Sequence, residues 1–209
     1  MITIPQCLEF PCDVHLRGIC DFYLKMLELK NEKAFLHSKQ VANYATSIAA
    51  KIGLSPRDVS TIQTAALLHD IGHLATPNII LYKAPFLTKR EEAIYKRHCL
   101  AGASMLENIP EFTNIVDIIR SHHEKWDGTG YPKRLKGQNI PIGARIIAIA
   151  DYYDTSINPC TLHWQKTHSE AIVELQNKAG LDFEPALVRA FIESVLPLAI
   201  DSHQPIKKL

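Results

Sequence analysis

Seven residues able to bind a transition metal, His37, His69, Asp70, His98, His122, His123 and Asp151, fall on five stretches of helical periodicity, and a site built from them needs those helices to meet. The densest stretch is His122-His123-Glu124-Lys125-Trp126-Asp127-Gly128-Thr129-Gly130-Tyr131-Pro132, which joins two adjacent imidazoles to a glycine-rich turn. Neutral imidazole is the commonest protein ligand for transition metals, and a rigid turn beside it can shape a pocket mouth. A second signal is His69-Asp70, flanked by Leu67, Leu68 and Ile71. Desolvating a carboxylate costs several kcal/mol unless something compensates it, and a cation would do so.

The pattern around these residues is almost entirely helical. An irregular start over 1–12 precedes a helix at about 14–30 and another at about 33–52 that stops at Gly53. Ser55-Pro56 caps the His-Asp helix, which is expected to end near Gly72. A proline-interrupted loop over about 74–87 leads to Thr88-Lys89-Arg90-Glu91, a capping-box signature for the helix carrying His98. Helices follow at about 111–124, from Ile142 to about Tyr153, at 168–179 and at 183–196. In the last two, Ala171, Ile172 and Leu175, then Leu187, Ala190, Phe191 and Val195, recur at core-packing spacing.

Composition narrows the function. A length of 209 residues with 46% hydrophobic content suits one globular core, and a formal net charge of +1 supplies no general field for long nucleic acid. Any anionic ligand is therefore held by local charge, and a small nucleotide fits better than DNA. Five cysteines without a CxxC pair read as the free thiols of a reduced, cytoplasmic protein. No apolar run approaches the ~20 residues that span a bilayer.

Taken together, the motifs closely resemble the HD-GYP family, a branch of the HD-domain metal-dependent phosphohydrolases. The resemblance spans roughly residues 33–195 and includes, in order, His37, His69-Asp70 followed by Ile71-Gly72, the loop Thr76 to Lys83, His98 with Gly102, the HHE…DGxGYP run, and Asp151 with Asp154. It implies an all-α HD-domain helical bundle with the metal site in its core, occupying 33–200 between an N-terminal extension with one helix (1–32) and a tail (201–209). It also implies hydrolysis of cyclic di-GMP to linear pGpG and/or GMP. By resemblance, His37, His69, Asp70 and Asp151 hold one metal, while Asp70, His98, His122 and His123 hold the other, with Asp70 bridging. Two such ions activate a hydroxide for in-line attack. Mixed imidazole and carboxylate ligation suits iron or manganese, with nickel or zinc as alternatives.

Departures from the family bear on activity. His73 stands where the family has lysine; one turn after His69, it is a candidate for contact with metal-bound solvent or a phosphate, and hence a catalytic and substrate residue. Cys160-Thr161-Leu162-His163 replaces an arginine-proline-tyrosine-arginine/lysine segment, so the expected cations are absent and His163 is the candidate substrate contact. Lys33 occupies the position of a glutamate that helps bind a third metal in some members. Glu32, one residue away, is rotated by ~100°, which favours two metals.

Asp154 can orient a ligand histidine or make an ordinary helix-end hydrogen bond, and Tyr131 can contact the substrate or simply pack in the turn. Gly128 and Gly130 are expected to supply backbone angles closed to other residues. Lys125, Lys133, Arg134 and Lys136 read as a solvated face, and His15, His168 and His203 as surface residues. The resemblance suggests a diguanylate cyclase (GGDEF) domain or a sensor protein as partner in trans. Two rivals to catalysis on cyclic di-GMP are a weakly active signalling module that binds the messenger or a partner, and a phosphohydrolase of another nucleotide.

Overall fold

Capping side chains set where the helices start. The computed structural model describes residues 14–83, 86–158 and 165–201. Its first helix, α1 (Val14–Lys30), is followed by α2 (Glu32–Lys51), whose Asn31 cap accepts from the Ala34 amide. Ser55 caps α3 (Pro56–Leu68) through the Asp58 amide, with proline in the first turn as expected. After α4 (Asn78–Leu81), a single turn within the expected loop, Thr88 and Glu91 form the capping box of α5 (Lys89–Tyr95). The elements α6 (His98–Leu106), α7 (Thr113–Ser121) and α8 (Ile142–Ile157) follow. A second capping box, Thr167 with Glu170, opens α9 (His168–Asn177), and α10 (Pro185–Asp201) closes the described chain. No strand occurs among the described residues, where Ala179 and Phe183 form an isolated bridge.

Helix α2 packs against α1, α3, α8 and α10. Its Val41, Ala45 and Ile48 are buried with Ala65 and Leu68 of α3 and Ile146, Ala150 and Tyr153 of α8. The α1 helix, read from sequence as an extension, contributes Cys20, Leu24 and Leu27 to buried positions. It is tied down at its end, where Lys30 Nζ donates to the carbonyls of Leu74 (2.8 Å) and Thr76 (2.7 Å).

Three helices differ from expectation in one consistent way: they break at the candidate ligand residues. The His-Asp helix stops at Leu68, so His69 is its C-cap, and Ile71–Ala75 forms a 3-10 turn. The helix expected to carry His98 is two helices, broken between Tyr95 and His98. The third ends at Ser121, leaving His122 as C-cap. The final carbonyls of a helix have no intrahelical partner, so a side-chain donor at the break has an acceptor waiting. Gly72 then lets α6 approach closely: a Cβ there would lie 1.9 Å from the His98 carbonyl oxygen and 2.6 Å from the Gly102 amide.

Candidate metal centre

The helix breaks orient the imidazoles. His69 Nδ1 donates to the Ala66 carbonyl (2.7 Å), His98 Nδ1 to that of Tyr95 (2.8 Å) and His122 Nδ1 to that of Ile119 (2.7 Å), each three residues back. A carbonyl can only accept, so Nδ1 carries the proton and Nε2 is left as the free donor atom. His37 is held differently, with Nδ1 2.6 Å from Asp154 Oδ2 and Nε2 3.1 Å from Asp151 Oδ1. Asp154 makes both contacts that the sequence leaves open: its Oδ2 meets the His37 ring, and its Oδ1 accepts from Asn158 Nδ2 (3.0 Å) at the end of α8.

Asp70 lies between two groups of donors. Its Oδ2 is 3.4 Å from His69 Nε2, on the side where His37 and His69 gather; its Oδ1 is 3.5 Å from His98 Nε2 and 3.9 Å from His122 Nε2. His98, Cys99, His122 and His123 form a further set whose ligand atoms all lie within 4.8 Å of one another. His69 Nε2 is buried without a hydrogen-bond partner. A fully buried, unsatisfied lone pair beside a carboxylate is costly unless a cation sits between them, so the donor set fits a divalent metal.

The electrostatics divide along the same line. Burial alone would lower the His37 and His69 pKa values, but hydrogen bonds donated to Asp151 and Asp154 raise the first and the nearby Asp70 raises the second. Burial would raise Asp70, yet His69 beside it holds it well below the usual carboxylate range. On the other side, burial and neighbouring imidazoles lower His98 and His122, and push His123 down to about 4. These imidazoles are neutral and ready to bind a metal at ordinary pH.

His73 reaches this cluster by a route the sequence does not suggest. In the 3-10 turn its ring stacks on His98 with centroids 4.1 Å apart, its Nδ1 lies 3.1 Å from Thr76 Oγ1, and its Nε2 is 3.7 Å from Asp70 Oδ1. Burial, then His98, pushes its pKa down to about 3, so it is an uncharged imidazole and no substitute for a lysine cation.

The sequence profile of the HD domain family matches residues 22–187. This chain belongs to the HD-domain family. Its HHE…DGxGYP run places it in the HD-GYP branch. Among curated relatives, a cyclic di-GMP phosphodiesterase of Thermotoga maritima is 35% identical over 182 residues, covering 83% of this chain and 50% of the relative. A 3'3'-cGAMP-specific phosphodiesterase 2 of Vibrio cholerae is 36% identical over 169 residues, covering 80% of this chain and 32% of the relative. The HD-domain chain thus spans half or less of the length of these relatives. The fold is shared with Bd1817, an HDG"Y"P protein from Bdellovibrio bacteriovorus (TM-score 0.67, 20% identity, 87% of this chain and 63% of that one). It is also shared with a V. cholerae cyclic GMP-AMP specific phosphodiesterase (TM-score 0.69, 18% identity, 91% of this chain and 51% of that one).

In this HD-domain chain the GYP turn is pinned by Glu124, a role not read from the sequence. The buried Glu124 carboxylate accepts from the Lys133 amide (2.6 Å) and the Leu135 amide (3.0 Å). Gly128 has the left-handed backbone expected of it, with φ of 87°. Gly130 does not. It is needed for close approach instead, because a Cβ there would lie 2.3 Å from the Lys125 amide nitrogen. Tyr131 is half-buried, its ring stacked on His123 at 5.0 Å with Lys96 Nζ 5.0 Å from its centroid.

A cavity of about 450 Å³ opens beside His122, His123 and Asp151. Its wall carries Lys125, Lys166 and Lys178 with the rings of Tyr152 and Phe183, which are 5.3 Å apart. Lys125, read as part of a solvated face, therefore lines the site and pairs with Asp182 at 2.9 Å, while Lys133, Arg134 and Lys136 are exposed. Lys166 and Lys178 carried no motif and were missed. His163, Cys160, Cys7, Cys12 and His203 lie outside the described residues, as does the side chain of His15. His168 is not a free surface residue, since its Nδ1 is 2.7 Å from the hydroxyl of the buried Tyr153. Lys33 lines a cavity with His37 and Asp154, and Glu32 does not.

Proposed function

We propose that this HD-domain chain is a cytoplasmic, metal-dependent phosphodiesterase of cyclic dinucleotides, with cyclic di-GMP as its first substrate. The observation that carries the reading is Asp70, whose two oxygens face two separate groups of Nε2 donors; this supports a carboxylate that would be shared between two cations. His37, His69 and Asp151 would complete one site, and His98, His122 and His123 the other. When bound, a pair of divalent ions supplies the polarisation that makes water nucleophilic near neutrality and offsets charge developing on phosphoryl oxygens.

The protein's own groups do the rest. Lys125, Lys166 and Lys178 offer the cavity wall the cations that the segment at 160–163 lacks, and exchange their carboxylate partners for a substrate phosphate. Tyr152 and Phe183 offer flat apolar surface to a purine. His73, uncharged, supplies a hydrogen-bonding imidazole beside Asp70. Similarity to a relative named for 3'3'-cGAMP supports a second substrate of the same class. No membrane-spanning helix occurs among the described residues, and the comparisons lend no support to a diguanylate cyclase partner.

Anaerobic loading with iron, manganese or zinc, followed by metal analysis and chromatography of products from cyclic di-GMP and 3'3'-cGAMP, tests the reading. We expect about two ions per chain and linear or mononucleotide products. Asp70→Ala should abolish turnover and strip most of the metal. Wild-type metal content in Asp70→Ala would end the bridging assignment, and a metal-loaded protein that turns over neither messenger would favour a binding module.

A further inference from the structure

The cluster on the α6–α7 side holds a donor that neither the motif nor the proposed function uses. Cys99 follows His98 directly, is fully buried, and places Sγ 3.4 Å from His98 Nε2. His98 Nε2 is in turn 3.2 Å from His122 Nε2. Both histidines spend Nδ1 on a backbone carbonyl, so both Nε2 atoms turn lone pairs toward one another.

Such spacings have a natural explanation in coordination geometry. With metal–nitrogen bonds of ~2.0–2.1 Å and a metal–sulfur bond of ~2.3 Å, the edges of a tetrahedron are about 3.3 Å between two nitrogens and about 3.6 Å between nitrogen and sulfur. The 3.2 and 3.4 Å separations lie near these edges, and all four donors of the set fall within 4.8 Å of one another. A lone buried thiol would be packing. A thiol facing the free lone pair of an imidazole, inside a nest of three imidazoles, has the neighbours that a coordination site needs.

We infer that Cys99 is a thiolate ligand of the metal held by His98, His122 and His123, giving this site a sulfur donor that its partner across Asp70 lacks. The inference rests on the metal-centre reading above and adds to it the identity of a ligand. Binding replaces the S–H bond by a metal–sulfur bond and releases the proton to solvent, with no change of oxidation state. Sulfur with imidazole favours zinc or ferrous iron over manganese, so the two sites differ in the ion they prefer.

The test uses the full chain reconstituted anaerobically with Co²⁺, with cobalt content measured alongside the spectrum. Wild-type protein should show a thiolate-to-cobalt charge-transfer band in the near ultraviolet. Cys99→Ser should lose the band while keeping the remaining nitrogen and oxygen ligands, and Cys20→Ser, altered at the other described free thiol, should keep it. Zinc affinity in Cys99→Ser should fall by at least the ~10–100-fold seen when a group that merely orients a ligand is lost, and manganese affinity by less. X-ray absorption on zinc-loaded wild-type protein gives an answer that needs no variant, through a sulfur neighbour at ~2.3 Å. Two bound cobalt ions with no band, a band that survives in Cys99→Ser, or no sulfur neighbour would each overturn the inference and leave the dinuclear reading standing. Failure to bind cobalt at all would overturn both.

Discussion

The two flanks of Asp70 are built on opposite principles. On the α2–α8 flank, His37 is clasped between Asp151 and Asp154, so charge is matched by charge before any cation arrives. On the α6–α7 flank, three imidazoles and a thiol converge beside Asp70, none of them clasped by a pair of carboxylates as His37 is, and two Nε2 lone pairs face each other at 3.2 Å. A buried polar network that is only partly satisfied is costly, whereas a satisfied one rigidifies the core. The difference lies in how the buried polar atoms are satisfied: carboxylates pair with the ring on the first flank, whereas donors are left facing one another on the second.

The largest blow to this contrast should come from Gly72→Ala. The new Cβ would fall 1.9 Å from the His98 carbonyl oxygen, and backbone cannot rotate away as a flexible side chain can. Displacing α6 should cost ~3 kcal/mol, at the upper end of overpacking effects, and should empty the α6–α7 flank while the α2–α8 flank keeps its ion. Calorimetric unfolding together with metal content measures both. Equal loss from the two flanks would show that they are not separable.

A smaller and opposite effect is expected of Asp154→Asn. The carboxylate 2.6 Å from His37 Nδ1 fixes that ring, and loss of such an orienting partner lowers metal affinity ~10–100-fold. Competition titration should find the weakening confined to one of two ions. A change spread over both would mean that Asp70 couples the flanks more tightly than their separate supports suggest.

Thr88→Ala should have the mildest outcome. It removes the capping box of α5, whose last residue, Tyr95, supplies the carbonyl that orients His98. A loss of ~1 kcal/mol of stability with metal content unchanged is expected in denaturant unfolding. Metal loss from the α6–α7 flank at that modest cost would reveal that its orientation depends on α5 as a whole.

Much of the site could be read in the sequence because its signals are local. Ser55-Pro56 and Thr88 with Glu91 cap where their spacing says they should, since a cap joins residues two or three apart. The adjacent pairs His69-Asp70 and His122-His123 are local signals of the same kind, and the structure gathers them into one cluster. What tertiary structure decided joins residues far apart in the chain. Asp154 meets His37 across 117 positions, Lys166 and Lys178 reach a wall shared with His122, and α6 closes on Gly72 because neither Gly72 nor Gly102 has a side chain to prevent it. Helix breaks at His69, His98 and His122 escaped periodicity, which registers which face is apolar and not where a side chain will take over the last carbonyl. Cys99 shows the same limit: one residue from a ligand in sequence, it becomes a candidate ligand only because α6 and α7 bring three imidazoles around its sulfur.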